Sequence, residues 1–178
     1  MEPPDPEILS VEPVYHGKLF DVHVTTLRMP NGIETRRETL LHPGAVCAIP
    51  VDADGRIHFV TQYRHAAGRR LLELPAGTLE PGEDPAETVV RELQEEIGMH
   101  PGRVDPLGGF YVAPGYTSEY IWLYVCRDLV PSNLDGDEDE DIAIHTLTLA
   151  EALAAIGDGR ICDAKSVVGV LQWAREVG

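Results

Sequence analysis

At 178 residues, 43% hydrophobic and 25% charged, the chain fits one soluble globular domain with room for a real core. A formal charge of −16 argues against a general nucleic-acid or membrane-surface binder, and no apolar run approaches the ~20 residues that span a bilayer. The opening MEPPDPE lacks the basic start and apolar middle of a signal peptide. Cys47, Cys126 and Cys162 are far apart with no CxxC pair, as expected of free thiols in a reducing cytoplasm.

In chain order, residues 1–7 read as a loose tail. VEPVYH, LFDVHVTTLRM and IETRRETLL follow as strands, the last two joined by the hairpin pair Asn31-Gly32. Residues 1–41 thus form a tail and an antiparallel strand extension, and 42–178 the main domain. Ala45 to Val51 is a short apolar strand, Arg56 to Tyr63 alternates, and Arg69 to Leu74 adds another. Asp84, Pro85 and Glu87 mark a helix start as cap, first-turn proline and capping-box acid, and Gly98 marks its stop. Ala86, Val89, Val90, Leu93 and Ile97 recur at helical spacing as its buried stripe. Pro106 to Val112, Glu119 to Arg127 and Ile142 to Leu147 read as strands around an acidic loop, PSNLDGDEDED. Thr148 with Glu151 caps a short helix, and Asp163 opens a last one through Trp173. The order predicts an α+β sandwich, a mixed sheet covered by helices.

The central helix carries the chemistry. Glu92 and Glu96 lie one turn apart beside the buried stripe, with Glu95 further round. Like charges at i, i+4 cost about 0.2–0.5 kcal/mol per pair, so either this is a solvated face softened by Arg91 or something positive binds there. Gly77 and the turn Glu80-Pro81-Gly82-Glu83 would let backbone approach a ligand closely. A hard divalent cation fits, because one or two carboxylates plus substrate phosphate are how Mg²⁺ is usually held. It would also supply the positive charge that an acidic chain needs to take an anionic substrate.

Gly77, five residues, Glu83, seven residues, Arg91-Glu92-Leu93, one residue, Glu95-Glu96, one residue, Gly98-Met99 resembles the Nudix box at every constrained position. Seven fixed residue types in register arise by chance about once in ten million start sites. The resemblance implies an α/β/α sandwich that hydrolyses a nucleoside diphosphate linked to another group. It casts Glu92 and Glu96 as principal Mg²⁺ ligands, with Mn²⁺ as a substitute, Glu95 close by and the Ala76 carbonyl as a further ligand. Arg91 and Glu83 resemble the pair that braces the loop against the helix.

YVAPGYTSEYI follows the box, with Pro114 fifteen residues past Met99. That placement, with Gly115, Thr117, Ser118 and Glu119 after it, resembles the ADP-ribose pyrophosphatase subgroup. VTQYR and LELPAG resemble the strands leading into the subgroup's box, and Arg64 resembles an arginine contacting phosphate or ribose, for which a guanidinium fork is suited. The acidic loop resembles the subgroup's loop that delivers a catalytic base; the matching position is Glu138, with Glu140 the rival. Asp163-Ala164-Lys165-Ser166 resembles the subgroup's C-terminal pattern. In relatives, strands like residues 11–41 exchange between subunits, implying a homodimer in which Arg28, Arg36 or Arg37 could reach the partner's nucleotide.

The implied reaction converts ADP-ribose and water into AMP and ribose 5-phosphate. Other nucleoside diphosphate sugars, ADP-glucose or GDP-mannose, remain open, as no residue reads the base unambiguously. A non-catalytic nucleotide sensor built on this fold would usually have lost box carboxylates, all of which are present. A calcium site at Asp135–Asp141 lacks the twelve-residue EF-hand spacing.

Overall fold

The structure is a computed structural model and describes residues 4–134 and 141–178. The chain divides into two compact units, one of Met1–Gly44 with Tyr111–Tyr120 and one of Ala45–Phe110 with Ile121–Gly178.

In the first unit β1 (Glu7–His16), β2 (Asp21–Arg28) and β3 (Glu34–Leu41) form an antiparallel sheet in that order. The Asn31-Gly32 turn falls between β2 and β3 as predicted, with Met29 N–H donating to the Ile33 carbonyl at 2.8 Å. β1 begins at Glu7 rather than Val11. Its extra length is set across the sheet, where Arg28 donates to Glu7 at 2.7 Å and to Glu34 at 3.0 Å, a pairing invisible along one strand. Residues 111–120 join this unit through Leu40, whose N–H donates to the Tyr116 carbonyl at 2.8 Å and whose carbonyl accepts from Ser118 N–H at 2.9 Å. No residue from Pro4 to Pro43 is buried.

The second unit is organised by β4 (Ala45–Pro50), buried at every position. It pairs parallel with β9 (Tyr120–Pro131) and antiparallel with β7 (Ala76–Thr78); β8 (Met99–Tyr111) completes the order β7-β4-β9-β8. A second sheet runs β10-β5-β6, from β10 (Ala143–Leu147), β5 (Ile57–Arg64) and β6 (Arg69–Glu73). Alternation along β4 defines two cores. Cys47 and Ile49 pack into a cluster with residues of α2 (Leu149–Gly157) and α3 (Ala164–Val177). Val46 and Ala48 pack into another with α1 (Pro85–Glu96). Helices therefore cover both faces of a mixed sheet, the α+β, α/β/α sandwich that the sequence implied.

α1 starts where predicted. Asp84 caps it, accepting from Ala86 N–H at 2.8 Å, and Pro85 occupies the first turn. Val89, Leu93 and Ile97 are buried, and Gly98 at φ 66 leaves the helix in the left-handed region. The reciprocal capping box forms on α2, where Glu151 N–H donates to Thr148 Oγ1 at 3.2 Å and Thr148 N–H to Glu151 Oε2 at 2.8 Å. β8 runs back to Met99, through Pro101 and Gly102, where the sequence suggested only Pro106 onward. β8 is the outer strand of its sheet, and an edge tolerates a residue without N–H. β7 is a strand of its own, where the sequence offered only the likeness of LELPAG to a strand leading into the box, since Ala-Gly-Thr has no periodicity. Among the described residues no helix is long and apolar enough to cross a membrane.

α3 packs closely because Gly169 carries no side chain: a Cβ there would lie 2.8 Å from Leu74 Cδ1, and Leu74 is fully buried and has nowhere to retreat. Gly169→Ala is expected to lower stability by up to about 2 kcal/mol, overpacking of about 1–3 less a helix-propensity gain of about 1. Urea unfolding midpoints at constant m would measure it.

Candidate active site

Glu92 and Glu96 sit on successive turns of α1 and press against the β7 backbone. Glu96 is only 6% exposed, and its Oε2 accepts a hydrogen bond from Ala76 N–H at 3.1 Å. Glu92, with its side chain 13% exposed, lies against the α-carbon of Gly77. A Cβ at 77 would overlap the Cδ and both oxygens of its carboxylate. The solvated-face alternative is thereby excluded, because both carboxylates are packed on a strand. The glycine is needed because no side chain fits between strand and carboxylate.

Arg91 supplies the local counter-charge. Its Nε donates to Glu83 Oε1 at 3.0 Å and its Nη2 to Oε2 at 3.3 Å. Its Nη1 lies 2.8 Å from both Glu95 Oε2 and Glu92 Oε1. One guanidinium thus ties the turn at 80–83 to the helix, the bracing arrangement that the motif implied. The Arg91 hydrogen bonds hold the Glu83 carboxyl down at about 2, and the same contact raises the Arg91 guanidinium above its ordinary value.

The donor set suits a hard cation. Glu92 and Glu96 offer carboxylate oxygens beside backbone at Ala76 and Gly77, while Glu95 is turned to Arg91. Among the described residues no three His, Cys, Asp or Glu side chains form a group that could hold an ion. Two carboxylates completed by substrate oxygens is the pattern of Mg²⁺. Ala76 touches Glu96 through its N–H, on the strand that also carries the carbonyl implied as a ligand.

Arg64 proves to be held by a residue the sequence reading passed over. It donates from Nε to both oxygens of Glu73, at 3.2 and 3.1 Å, and from Nη2 to Oε2 at 2.7 Å. Glu73 is 1% exposed and also accepts from Lys165 Nζ at 2.6 Å; Lys165 in turn donates to Asp163 Oδ1 at 2.9 Å. Burial opposes ionisation of Glu73, but the hydrogen bond from Arg64 and the charge of Lys165 outweigh it, and the carboxyl titrates below its usual range. The signal was present in Leu71-Leu72-Glu73-Leu74, since an acid inside a leucine run must find cations.

Pro114 and Gly115 lie in the first unit, exposed, in a turn where Tyr116 and Thr117 N–H both donate to the Ala113 carbonyl, at 3.1 and 3.0 Å. Glu119 is half-buried; its carbonyl accepts from Val112 N–H at 3.0 Å and its N–H donates to Thr117 Oγ1 at 3.1 Å. Glu138 and Glu140 lie outside the described residues. Asp141, just beyond them, is gripped by Arg70 through both its backbone carbonyl and its side chain.

The NUDIX domain model matches residues 41–166. The chain belongs to the Nudix family. This Nudix protein is 40% identical to a methanol dehydrogenase activator of Bacillus methanolicus over 91% of this chain and 89% of that one. It is 34% identical to an ADP-ribose pyrophosphatase of Bacillus subtilis (strain 168), with the same coverage. A crystal structure of an ADP compounds hydrolase superposes with a TM-score of 0.89 at 28% identity, covering 100% of this chain and 98% of that one.

Gly77→Ala is expected to drive the Glu92 carboxylate off the strand and weaken Mn²⁺ binding by about 10–100-fold, the range for lost support of a metal ligand. Electron paramagnetic titration of free Mn²⁺ reads this directly. Glu83 makes a pH prediction. Its folded value of about 2 lies below its ordinary 4.5, so it stabilises the fold above pH 4.5 and that contribution disappears as pH falls to about 2. Glu83→Gln should show a flatter loss of stability over that window, measured by urea unfolding at stepped pH.

Proposed function

We propose that this Nudix protein hydrolyses the pyrophosphate bond of ADP-ribose, releasing AMP and ribose 5-phosphate. The observation that carries the reading is the packed pair of carboxylates, Glu92 against Gly77 and Glu96 on the Ala76 N–H. That pair belongs to a chain one third identical to an ADP-ribose pyrophosphatase over nearly its whole length. Glu92 and Glu96, with the Ala76 carbonyl and Glu95 nearby, would hold Mg²⁺ or Mn²⁺. Bound there, the ion would neutralise charge growing on the phosphates and polarise the attacking water.

The protein's own groups do the rest. Glu92 and Glu96 are held ready by strand backbone, so little reorganisation precedes binding. Arg64, with Nε and Nη2 given to Glu73, keeps Nη1 for a phosphate or ribose oxygen. Pro114, Gly115 and Glu119 are assigned to substrate binding on their resemblance to the subgroup. Glu138 is assigned as the base that takes the proton of the attacking water, with Glu140 as its rival. Other ADP-linked sugars are the second reading, supported by the structural likeness to an ADP compounds hydrolase.

We assign the active form to a homodimer. The first unit is a sheet without a buried residue over 4–43, and Ile8, Val11, Val14, Tyr15 and Ile33 are more than half exposed. Such a surface is more apolar than a lone sheet tolerates in water. The free thiols favour the cytoplasm.

The purified protein should release AMP from ADP-ribose with Mg²⁺ and none in EDTA, in a panel that includes ADP-glucose, GDP-mannose and dinucleoside polyphosphates. Intact ADP-ribose beside cleavage of another substrate would replace the substrate assignment. Glu92→Gln should lose turnover by about 10²–10⁴-fold while a pure sensor would keep its function. Glu138→Gln should lower kcat by about 10²–10⁴-fold with substrate binding little changed; if only Glu140→Gln does so, the base is Glu140.

A further inference from the structure

Segment 73–76 leads into the box and carries both partners of the site: Glu73, which holds Arg64, and Ala76, which holds Glu96. The Pro75 carbonyl accepts from Ala48 N–H at 2.9 Å, which ties the segment to β4. The two residues before it are fixed from the first turn of α3. Lys165 Nζ reaches Glu73 Oε2 at 2.6 Å, and Leu74 N–H donates to Ser166 Oγ at 2.7 Å. Asp163 locks that turn, accepting from Ser166 N–H at 3.1 Å and from Lys165 Nζ at 2.9 Å. Ser166 and Leu74 are both fully buried, and Gly169, one turn on, lets the helix come this close.

Such an arrangement is a poor way to gain stability. Desolvating two ions generally costs as much as their attraction returns, and apolar residues of the same volume do as well or better. What a buried, hydrogen-bonded charge network does provide is a fixed direction for each group in it. Glu73 shares one carboxylate between Lys165 and Arg64, so the ammonium determines where the guanidinium sits.

We propose that the first turn of α3, through Lys165 and Ser166, is a positioning clamp for the active site: it sets segment 73–76 and thereby orients Arg64, Ala76 and Glu96. The proposal rests on the pyrophosphohydrolase reading above. On this reading Lys165 and Ser166 are positioning residues, acting through Glu73 and Leu74.

The test uses the full chain with Lys165→Met, which keeps the apolar stem and removes the charge, and Ser166→Ala, which removes only the acceptor of Leu74 N–H. Four quantities are read: unfolding midpoint, amide hydrogen exchange of 73–77 in the metal-free protein, Mn²⁺ affinity without substrate, and kcat and KM for ADP-ribose. Both variants should exchange faster at Ala76 and bind Mn²⁺ about tenfold more weakly. Both should lose about tenfold or more in kcat, and Lys165→Met alone should also raise KM, through Arg64. A folded variant that matches the parent in exchange, Mn²⁺ affinity and kcat overturns the proposal, whatever its midpoint. If Lys165→Met does not fold, Ser166→Ala decides. Failure of both to fold also overturns it, since the turn would then serve the fold and not the site. A parent that leaves ADP-ribose intact would sink the substrate reading, while exchange and Mn²⁺ affinity would still judge the clamp.

Discussion

The contact between the Glu92 carboxylate and the bare α-carbon of Gly77 is the constraint from which the second unit's geometry follows. It brings α1 within reach of β7 at this point, which in turn places Glu96 under the Ala76 N–H. Two carboxylates one turn apart would repel on an isolated helix. Here Glu96 accepts from the strand backbone and Glu92 pairs with the neighbouring Arg91. A helix that would be strained in water becomes a rigid part of a packed unit.

Arg91 and Glu73 solve the same problem from opposite sides. Arg91 is one cation among three carboxylates, Glu83, Glu92 and Glu95; Glu73 is one carboxylate between two cations, Arg64 and Lys165. A chain with net charge −16 has few basic residues, and several of them are placed where they hold an acid in a defined orientation. Both networks are short and charge-assisted; the Glu73–Lys165 pair is shielded from solvent, where such bonds are stronger than on the surface, while Arg64 and Arg91 stay partly exposed. The thiols follow a different logic. Burial, with nearby carboxylates adding to it, pushes Cys126 up to about 12 and Cys47 higher still, so both stay neutral and serve as small apolar core residues.

The family likeness and the local geometry answer different questions. Two relatives with different names, a methanol dehydrogenase activator and an ADP-ribose pyrophosphatase, match over equal shares of the chain. Both matches span nearly the whole chain, so likeness alone leaves the substrate to be read from the site. What distinguishes substrates must lie in residues around it, and fold alone does not assign them.

Much was legible in the residues themselves. Capping chemistry at Asp84, Pro85 and Thr148, the stripe Val89-Leu93-Ile97 and the turn at Asn31-Gly32 act over a few residues, so local sequence determined them. The spacing along the helix placed Glu92 and Glu96 one turn apart for the same reason, since a helix turns its residues into a known pattern. Tertiary structure decided what depends on distant partners. β7 exists because β4 lies beside it, and β8 runs through Pro101 because it is an edge. The length of β1 follows from Arg28 across the sheet, and Glu73 is ionised in the core because Lys165, 92 positions away, reaches it. Short-range chemistry is written in order along the chain; a contact between remote side chains has no sequence signature until packing brings them together.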